Sequence, residues 1–510
     1  MAPSTGARPG SDALIWVLAV AGALVVALGA PTNQSFWIVE AHTVWTASQP
    51  TLADWWTELL AERGSDLQMP LYMLYAWAWE KALGSGEWWM RAANAPWLML
   101  GLLALARGRA ALFATALISP FVWYYAGEAR PYAMQIGAGL LVFAALDRLY
   151  GSMGRTLSRD DRVWGAALAC GLVLLSGSSM VGMYWAGAAV CVGLTIFPKR
   201  DIRRLVFGLW PLSIATTIAL AGFAAYYLWT LKSGAGAYAG SPTGLRNLLF
   251  IGYELLGFSG LGPGRLEIRA SGLASFADYL MPLAVYGSLL VALFWVTGRT
   301  VLRSGPRRVL VGAGLVVGVA ALVLLATGHL RHVRLLGRHF APLLVVALWP
   351  VAEGLSALWR RRRSSFRAVV VASVALSLLS SILLRIAPRH ARDAYRESAT
   401  TAVMALERDE IVWWSADLIG GRLYGVPLGG ATPEIAGEAR PMVNCDRSNL
   451  DRAPKPDLVI ASKPDLYDAN GELAEYLARN HYFVAGALPA FLLWRRHGAD
   501  DGPNLDSGPR

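Results

Sequence analysis

Residues 309–327 read VLVGAGLVVGVAALVLLAT, nineteen consecutive residues without a charged side chain. As a helix such a stretch is about 29 Å long, close to the roughly 30 Å hydrocarbon thickness of a bilayer. Arg307 and Arg308 precede it and Gly328-His329 follows it, so charge stands at the two ends and nowhere between. A soluble core helix has no use for apolar side chains on every face, whereas a membrane span does. The rest of the chain repeats the pattern. Of 510 residues 55% are hydrophobic and only 16% charged, against about a quarter charged in ordinary soluble domains.

Working outward, apolar segments recur at about 13–30, 90–106, 110–126, 131–149, 163–176, 179–197, 205–229, 277–297, 340–358 and 368–386, which with 309–327 predicts about eleven crossings. The loops between them alternate in charge. Arg107/Arg109, Arg148 to Arg162, Lys199 to Arg204, Arg299 to Arg308 and Arg360 to Arg367 fall on one side. Glu40, Asp54, Glu58, Glu62, Asp66, Glu80, Glu87, Glu128, Glu254 and Glu267 fall on the other. The basic side is cytoplasmic by the positive-inside rule. The first apolar segment, from Ala13 to Ala30, is expected to be an uncleaved span. A cleaved signal would also leave Pro31 outside.

The net charge of +11 lies in short arginine clusters between spans rather than along one face, which excludes nucleic acid as partner. Cys170, Cys191 and Cys445 make neither a metal cluster nor a disulfide framework. PLYMLYAWAWEKAL, residues 70–83, is aromatic but too short to cross, and a crossing there would put Arg107 and Arg109 outside. It therefore reads as a helix resting on the outer interface, as does ADWWTELLAER at 53–63. A second long outer loop runs from Thr230 to Phe276 and holds Arg265. From Pro388 the composition changes to short β-like runs (Ile411 to Trp414, Leu458 to Ala461, Phe483 to Ala485, Phe491 to Trp494) around a helical stretch at Glu472 to Arg479.

The expected fold is thus an all-α polytopic membrane protein with a small C-terminal α/β domain outside the membrane. Residues 1–387 form the membrane module, with 31–89 a structured outer loop, 388–496 the small domain, and 497–510 a disordered tail.

Ionisable groups at span ends are costly, so they are the first candidates for chemistry. Glu40, in FWIVEAHT (36–43), is either a catalytic base or an interfacial acid at a helix start. SPFVWYYAGEARPYAM (119–134) sets Glu128, Arg130 and Tyr132 together beside Pro131. A Glu128–Arg130 ion pair finishing the span is the plain alternative to a site. His329, Arg331, His332, Arg334, Arg338 and His339 lie on the outer side against the charge trend, as a phosphate receptor would. Gln68 either binds a sugar or caps a helix. Asp393 and Arg396 read as an ordinary helix start. Two outer carboxylates near a phosphate receptor at a membrane surface imply a lipid-linked substrate and activation of a nucleophile.

The order FWIVEAHT, SDLQMPLYMLYAWAWEKALGSGEWWMRAANA (65–95), SPFVWYYAGEARPYAM and LLGRHFAPLL (335–344) resembles the GT-C superfamily of polyprenyl-phosphate-sugar-dependent glycosyltransferases. Within it, the sequence is similar to the bacterial family 39 type, akin to protein O-mannosyltransferases and aminoarabinose transferases. The resemblance covers Ser35 to about Pro350. It implies an inverting transfer at an outward-facing site, from a membrane-embedded donor to a protein, lipid or polysaccharide acceptor. Glu40 falls in the first-loop acidic motif, Gln68 and Pro70 in an HPPL-like motif, Glu128, Arg130 and Tyr132 in the second-loop motif, and Arg338 before the LLP-like span start.

By this reading Glu40 is the base and Glu128 orients the acceptor or Arg130. Arg130, Tyr132, Arg338, His339 and Arg265 serve the donor phosphate. The family's Asp-Glu pair is Val39-Glu40 here, and its motif His is Gln68. Glu40 takes over as base, the acceptor chemistry differs, or activity is lost. No cofactor is expected, except that Glu40 and Glu128 could share a divalent cation. A lipid-linked-glycan flippase and a non-catalytic assembly protein are the rival classes.

Overall fold

A computed structural model describes residues 9–62, 64–233, 242–304, 307–361, 363–429 and 437–496. The tail 497–510 lies outside them. The chain divides into two compact units, Met1–Thr32 with Thr46–His390, and Asn33–Trp45 with Ala391–Arg510.

The first unit is helical, and the expected apolar segments are mostly helix, with breaks within 90–106, 110–126 and 205–229. Tyr132–Gly151, Trp210–Lys232, Val309–Leu330, Gly337–Arg360, Ser364–Ile386 and an apolar stretch within Arg265–Val301 are long and apolar enough to cross a membrane. The chain is a multi-pass membrane protein. Val309–Leu330 shows the physics most directly. None of its apolar window is buried within the protein, and Val311, Leu315 and Leu322 are about two-thirds exposed. An apolar surface of this length is what a lipid-facing span presents.

The segment expected to cross at 110–126 is broken. Helix Ala110–Leu117 stops and Pro120–Ala126 begins anew, with Ser119 extended between them. Pro120 has no N–H to donate and forces the residue before it out of helical geometry. Helices Ala95–Ala106 and Tyr132–Gly151 approach backbone to backbone, because a Cβ on Gly101 would lie 2.7 Å from the Gly137 Cα. Around that contact Leu98, Leu102, Ile136, Leu140, Leu344 and Leu348 form a shared core. The 70–83 segment is a 14-residue helix, Pro70–Leu83, begun by its proline and ended at Gly84.

The second unit is a five-stranded sheet of β1 (Val412–Ser415), β2 (Arg440–Pro441), β3 (Leu458–Ser462), β4 (Tyr482–Leu488) and β5 (Phe491–Arg496), in the order β2-β1-β3-β5-β4. β2, β1 and β3 are parallel, and β5 is antiparallel to both β3 and β4. Alternation in the strands sorts two cores. Val412, Trp414, Leu458 and Ile460 face helix Tyr395–Leu406, whereas Trp413 and Val459 face helix Glu472–Arg479. Burial on both faces explains why the parallel strands read as unbroken apolar runs. Residues 33–45, expected in the outer loop of the membrane module, belong by contact to this second unit.

Candidate functional site

Helix Pro120–Ala126 ends at Gly127, and Pro131 caps the next helix, Tyr132–Gly151. The linker Glu128-Ala129-Arg130 is buried, at 0% exposure for Glu128 and 2% for Arg130. Asn94 donates from Nδ2 to the carbonyls of Ala126 (3.1 Å) and Glu128, which serves two carbonyls freed by the helix end.

Glu128 and Arg130 each meet partners well beyond the linker. Arg130 turns to the 65–68 turn, with Nη1 2.6 Å from Asp66 Oδ1 and Nη2 donating to Ser65 Oγ at 3.1 Å. Burial pulls the Arg130 guanidinium down, but Asp66 and the Tyr132 hydroxyl outweigh it and raise it above its ordinary value. The charge is locked on. Gln68 is buried in the same 3-10 turn, Ser65–Gln68, whose Leu67 carbonyl accepts from Tyr226 Oη at 2.8 Å.

Glu128 faces Arg265. The Arg265 guanidinium lies 3.8 Å from Glu128 Oε1 and 3.6 Å from Glu254 Oε1, and 4.5 Å from the centre of the Tyr124 ring. Its side chain is 39% exposed although both acids are buried. Glu254 accepts the Gly337 N–H at 2.8 Å and the Tyr125 hydroxyl at 3.4 Å. A Cβ on Gly337 would strike Glu254 Oε2, so the close approach needs glycine there. Burial pushes the Glu254 carboxyl up, while Arg265 and the Gly337 N–H hold it back.

The expected receptor between 329 and 339 divides. His332 takes a left-handed backbone (φ 53°) and Gly337–Leu343 is 3-10, so successive side chains do not share a face. Arg331 and Arg334 are exposed, and His329 Nδ1 meets the Thr243 carbonyl at 3.0 Å. His339 is turned inward, its Nδ1 accepting from Leu336 N–H at 2.9 Å. Only Arg338 joins the site, its Cζ 5.7 Å from the centre of the Tyr132 ring. Among the described residues its buried Nε has no hydrogen-bond partner.

Glu40 lies in the second unit, at 0% exposure in helix Ile38–Ala47. Arg392 Nη1 is 3.8 Å from its Oε2, which also accepts Trp37 N–H at 3.4 Å. That helix is fastened within its unit by His42 Nε2 to Asp417 Oδ1 at 3.1 Å, and before the helix Phe36 N–H donates to Tyr424 Oη at 2.6 Å. Helix Tyr395–Leu406 starts just after Asp393, as expected, but Asp393 has a further partner. It is buried and ion-paired with Lys463, while Arg396 pairs with its neighbour Glu397 at 3.0 Å on the surface. Among the described residues no three His, Cys, Asp or Glu side chains gather as metal ligands.

Asp66 and Glu254 are site residues that the sequence reading does not single out. Asp66 has a usable signal, standing two residues before Gln68; Glu254 has none beyond its side of the membrane.

No family model matches the chain, and no curated protein matches it. Two solved structures are similar over nearly its whole length. ArnT from Cupriavidus metallidurans in the apo state is 15% identical, with 97% of this chain and 100% of that one covered at a TM-score of 0.49. The same protein bound to undecaprenyl phosphate is 15% identical, with 96% and 99% covered at a TM-score of 0.45. At such identity a functional reading has to rest on this chain's own geometry.

Proposed function

We propose that this protein transfers a sugar from a polyprenyl-phosphate donor to a hydroxyl acceptor on the extracytoplasmic face of the membrane, with inversion at the anomeric carbon. The observation that carries the reading is Arg265. It is a partly exposed guanidinium, backed by two buried carboxylates and an aromatic face, with Arg338 contributing to the same group of residues. A fixed cation of that kind suits a phosphate, and a phosphate presented to a multi-pass membrane protein comes on a lipid.

In the reaction, the acceptor oxygen bonds to the anomeric carbon as the bond from that carbon to the phosphate oxygen breaks. The electron pair leaves with the phosphate, stabilised by Arg265 and Arg338, which should be the largest catalytic contribution. Glu40, held against Arg392, is the proposed base that takes the acceptor's proton. Glu128 orients the acceptor or Arg265. Arg130 serves this site indirectly, by tying the Ser65–Gln68 turn to the start of helix Tyr132–Gly151.

Purified protein given a radiolabelled polyprenyl-phosphate sugar should release polyprenyl phosphate and label an acceptor. Glu40→Gln should lower turnover by roughly two to four orders of magnitude with donor binding unchanged. Parental turnover in that variant would remove Glu40 as base. No turnover by the parent with any donor, despite tight donor binding, would favour a non-catalytic role.

A further inference from the structure

Helix Tyr132–Gly151 has 20 residues, so its far end lies about 30 Å, one hydrocarbon thickness, from Arg130. A second group of cations gathers there. Arg148, in the last turn of this helix, and Arg107, at the end of helix Ala95–Ala106, both lie over the Trp164 ring, at 5.7 and 5.9 Å from its centre. Arg148 also donates to the Arg107 carbonyl. Gly108 gives it room, since a Cβ there would lie 2.7 Å from Arg148 Nη2. Beside these groups opens a cleft of about 570 Å³, lined by Arg109, Arg148, Arg155, Ser152, Thr156 and Ser158 among others.

The acids of the cleft do not cancel these charges. Asp147 is taken by Arg109, with Oδ2 2.9 Å from Nε. Asp161 caps its own helix, accepting the Ser158 N–H at 2.8 Å. Asp160 stands exposed at the rim. Among the described residues Arg107, Arg148 and Arg155 have no carboxylate partner, and an indole face attracts two guanidinia without neutralising either. Like charges held this close call for an anion between them. Loop arginines that only fix topology need no such convergence.

We infer that the cleft at the end of helix Tyr132–Gly151 binds the phosphate of an anionic phospholipid, held by Arg148 and Arg155, which line it, and by Arg107, which shares the Trp164 ring with Arg148 beside it, in the leaflet opposite the Arg265 site. The chemistry is that of any phosphate. A lipid is the source because the cleft lies at the end of a membrane-length helix, beside a tryptophan at interfacial depth.

The test titrates purified protein in detergent with phosphatidylglycerol and with phosphatidylcholine of the same chains, read by native mass spectrometry. The parent should retain phosphatidylglycerol preferentially. Arg107→Gln with Arg148→Gln should weaken that binding by about tenfold or more. Arg360→Gln with Arg361→Gln, which removes equal charge from another basic loop, should leave it intact. Quenching of Trp164 fluorescence by brominated phosphatidylglycerol, as the difference between parent and Trp164→Phe, needs no arginine variant and covers the case in which the double variant fails to fold. Equal retention of the two lipids, or equal loss in the two double variants, would overturn the site. Full competition by millimolar inorganic phosphate would overturn the lipid assignment.

Discussion

Arg130 and Arg265 each face buried acids, and they do so in opposite styles. Arg130 is 3% exposed and 2.6 Å from Asp66, with Ser65 on its second arm. The Arg265 side chain is 39% exposed and lies 3.8 Å from Glu128 and 3.6 Å from Glu254. The first is a closed pair that joins a turn to a helix start. The second is a partly exposed cation with buried acids beside it, so part of its surface is within reach of an incoming anion. A charged residue beside a span end is therefore not yet a binding residue, and exposure decides which of the two it is.

The contrast can be broken most forcefully at the closed pair. Asp66→Ala leaves a buried guanidinium without its carboxylate, so unfolding in detergent should become easier by about 3–5 kcal/mol. Arg265→Ala should cost clearly less, because water reaches the acids it uncovers. Equal losses would erase the distinction. On catalysis the order should reverse for variants that fold. Arg265→Ala should lower kcat/KM for a polyprenyl-phosphate sugar by about 1.5–3 kcal/mol, the range for charge-assisted hydrogen bonds.

A smaller effect is expected at Arg338, where lysine keeps the charge without the planar fork. Arg338→Lys should lose roughly 1 kcal/mol of donor affinity by titration, and Arg338→Ala more. Identical affinities for both variants would mean that only charge matters there.

The smallest effect is one of pH. Burial raises the Glu254 carboxyl, so it takes up a proton earlier than an ordinary glutamate as pH falls. Its neutralisation frees Arg265 from one competing anion, so a phosphodiester donor should bind more tightly as pH is lowered below neutral, by less than about tenfold. Glu254→Gln should flatten that dependence. A slope of the opposite sign would contradict the competition.

Local pattern makes much of the fold legible. Apolar length marks the long membrane helices, and strand periodicity gives β1, β3 and β5 within two residues and β4 to within three. β2 escapes because two residues, Arg440-Pro441, carry no periodicity. The start of helix Tyr395–Leu406 is legible at Asp393 to Arg396, but its Ala- and Thr-rich remainder gives no clear length. The break at Ser119-Pro120 is written in the sequence, but apolar length across 110–126 masks it.

The candidate site is legible by residue type and not by partner. Glu128 meets Arg265 and lies near Glu254 across more than a hundred residues of chain, and nothing local says that it reaches Arg265. The outer cations from His329 to His339 look like one receptor in the sequence. A left-handed residue and a 3-10 turn separate them, and only Arg338 reaches the aromatic wall.

The most direct measurement is the affinity of polyprenyl phosphate and of uncharged polyprenol for the parent and for Arg265→Ala, in one detergent at fixed salt. Arg265 as the phosphate receptor predicts that the variant loses phosphate-carrier affinity by about tenfold to a hundredfold and binds the alcohol like the parent. Equal loss for both ligands would contradict it, and would make Arg265 a packing residue like Arg130.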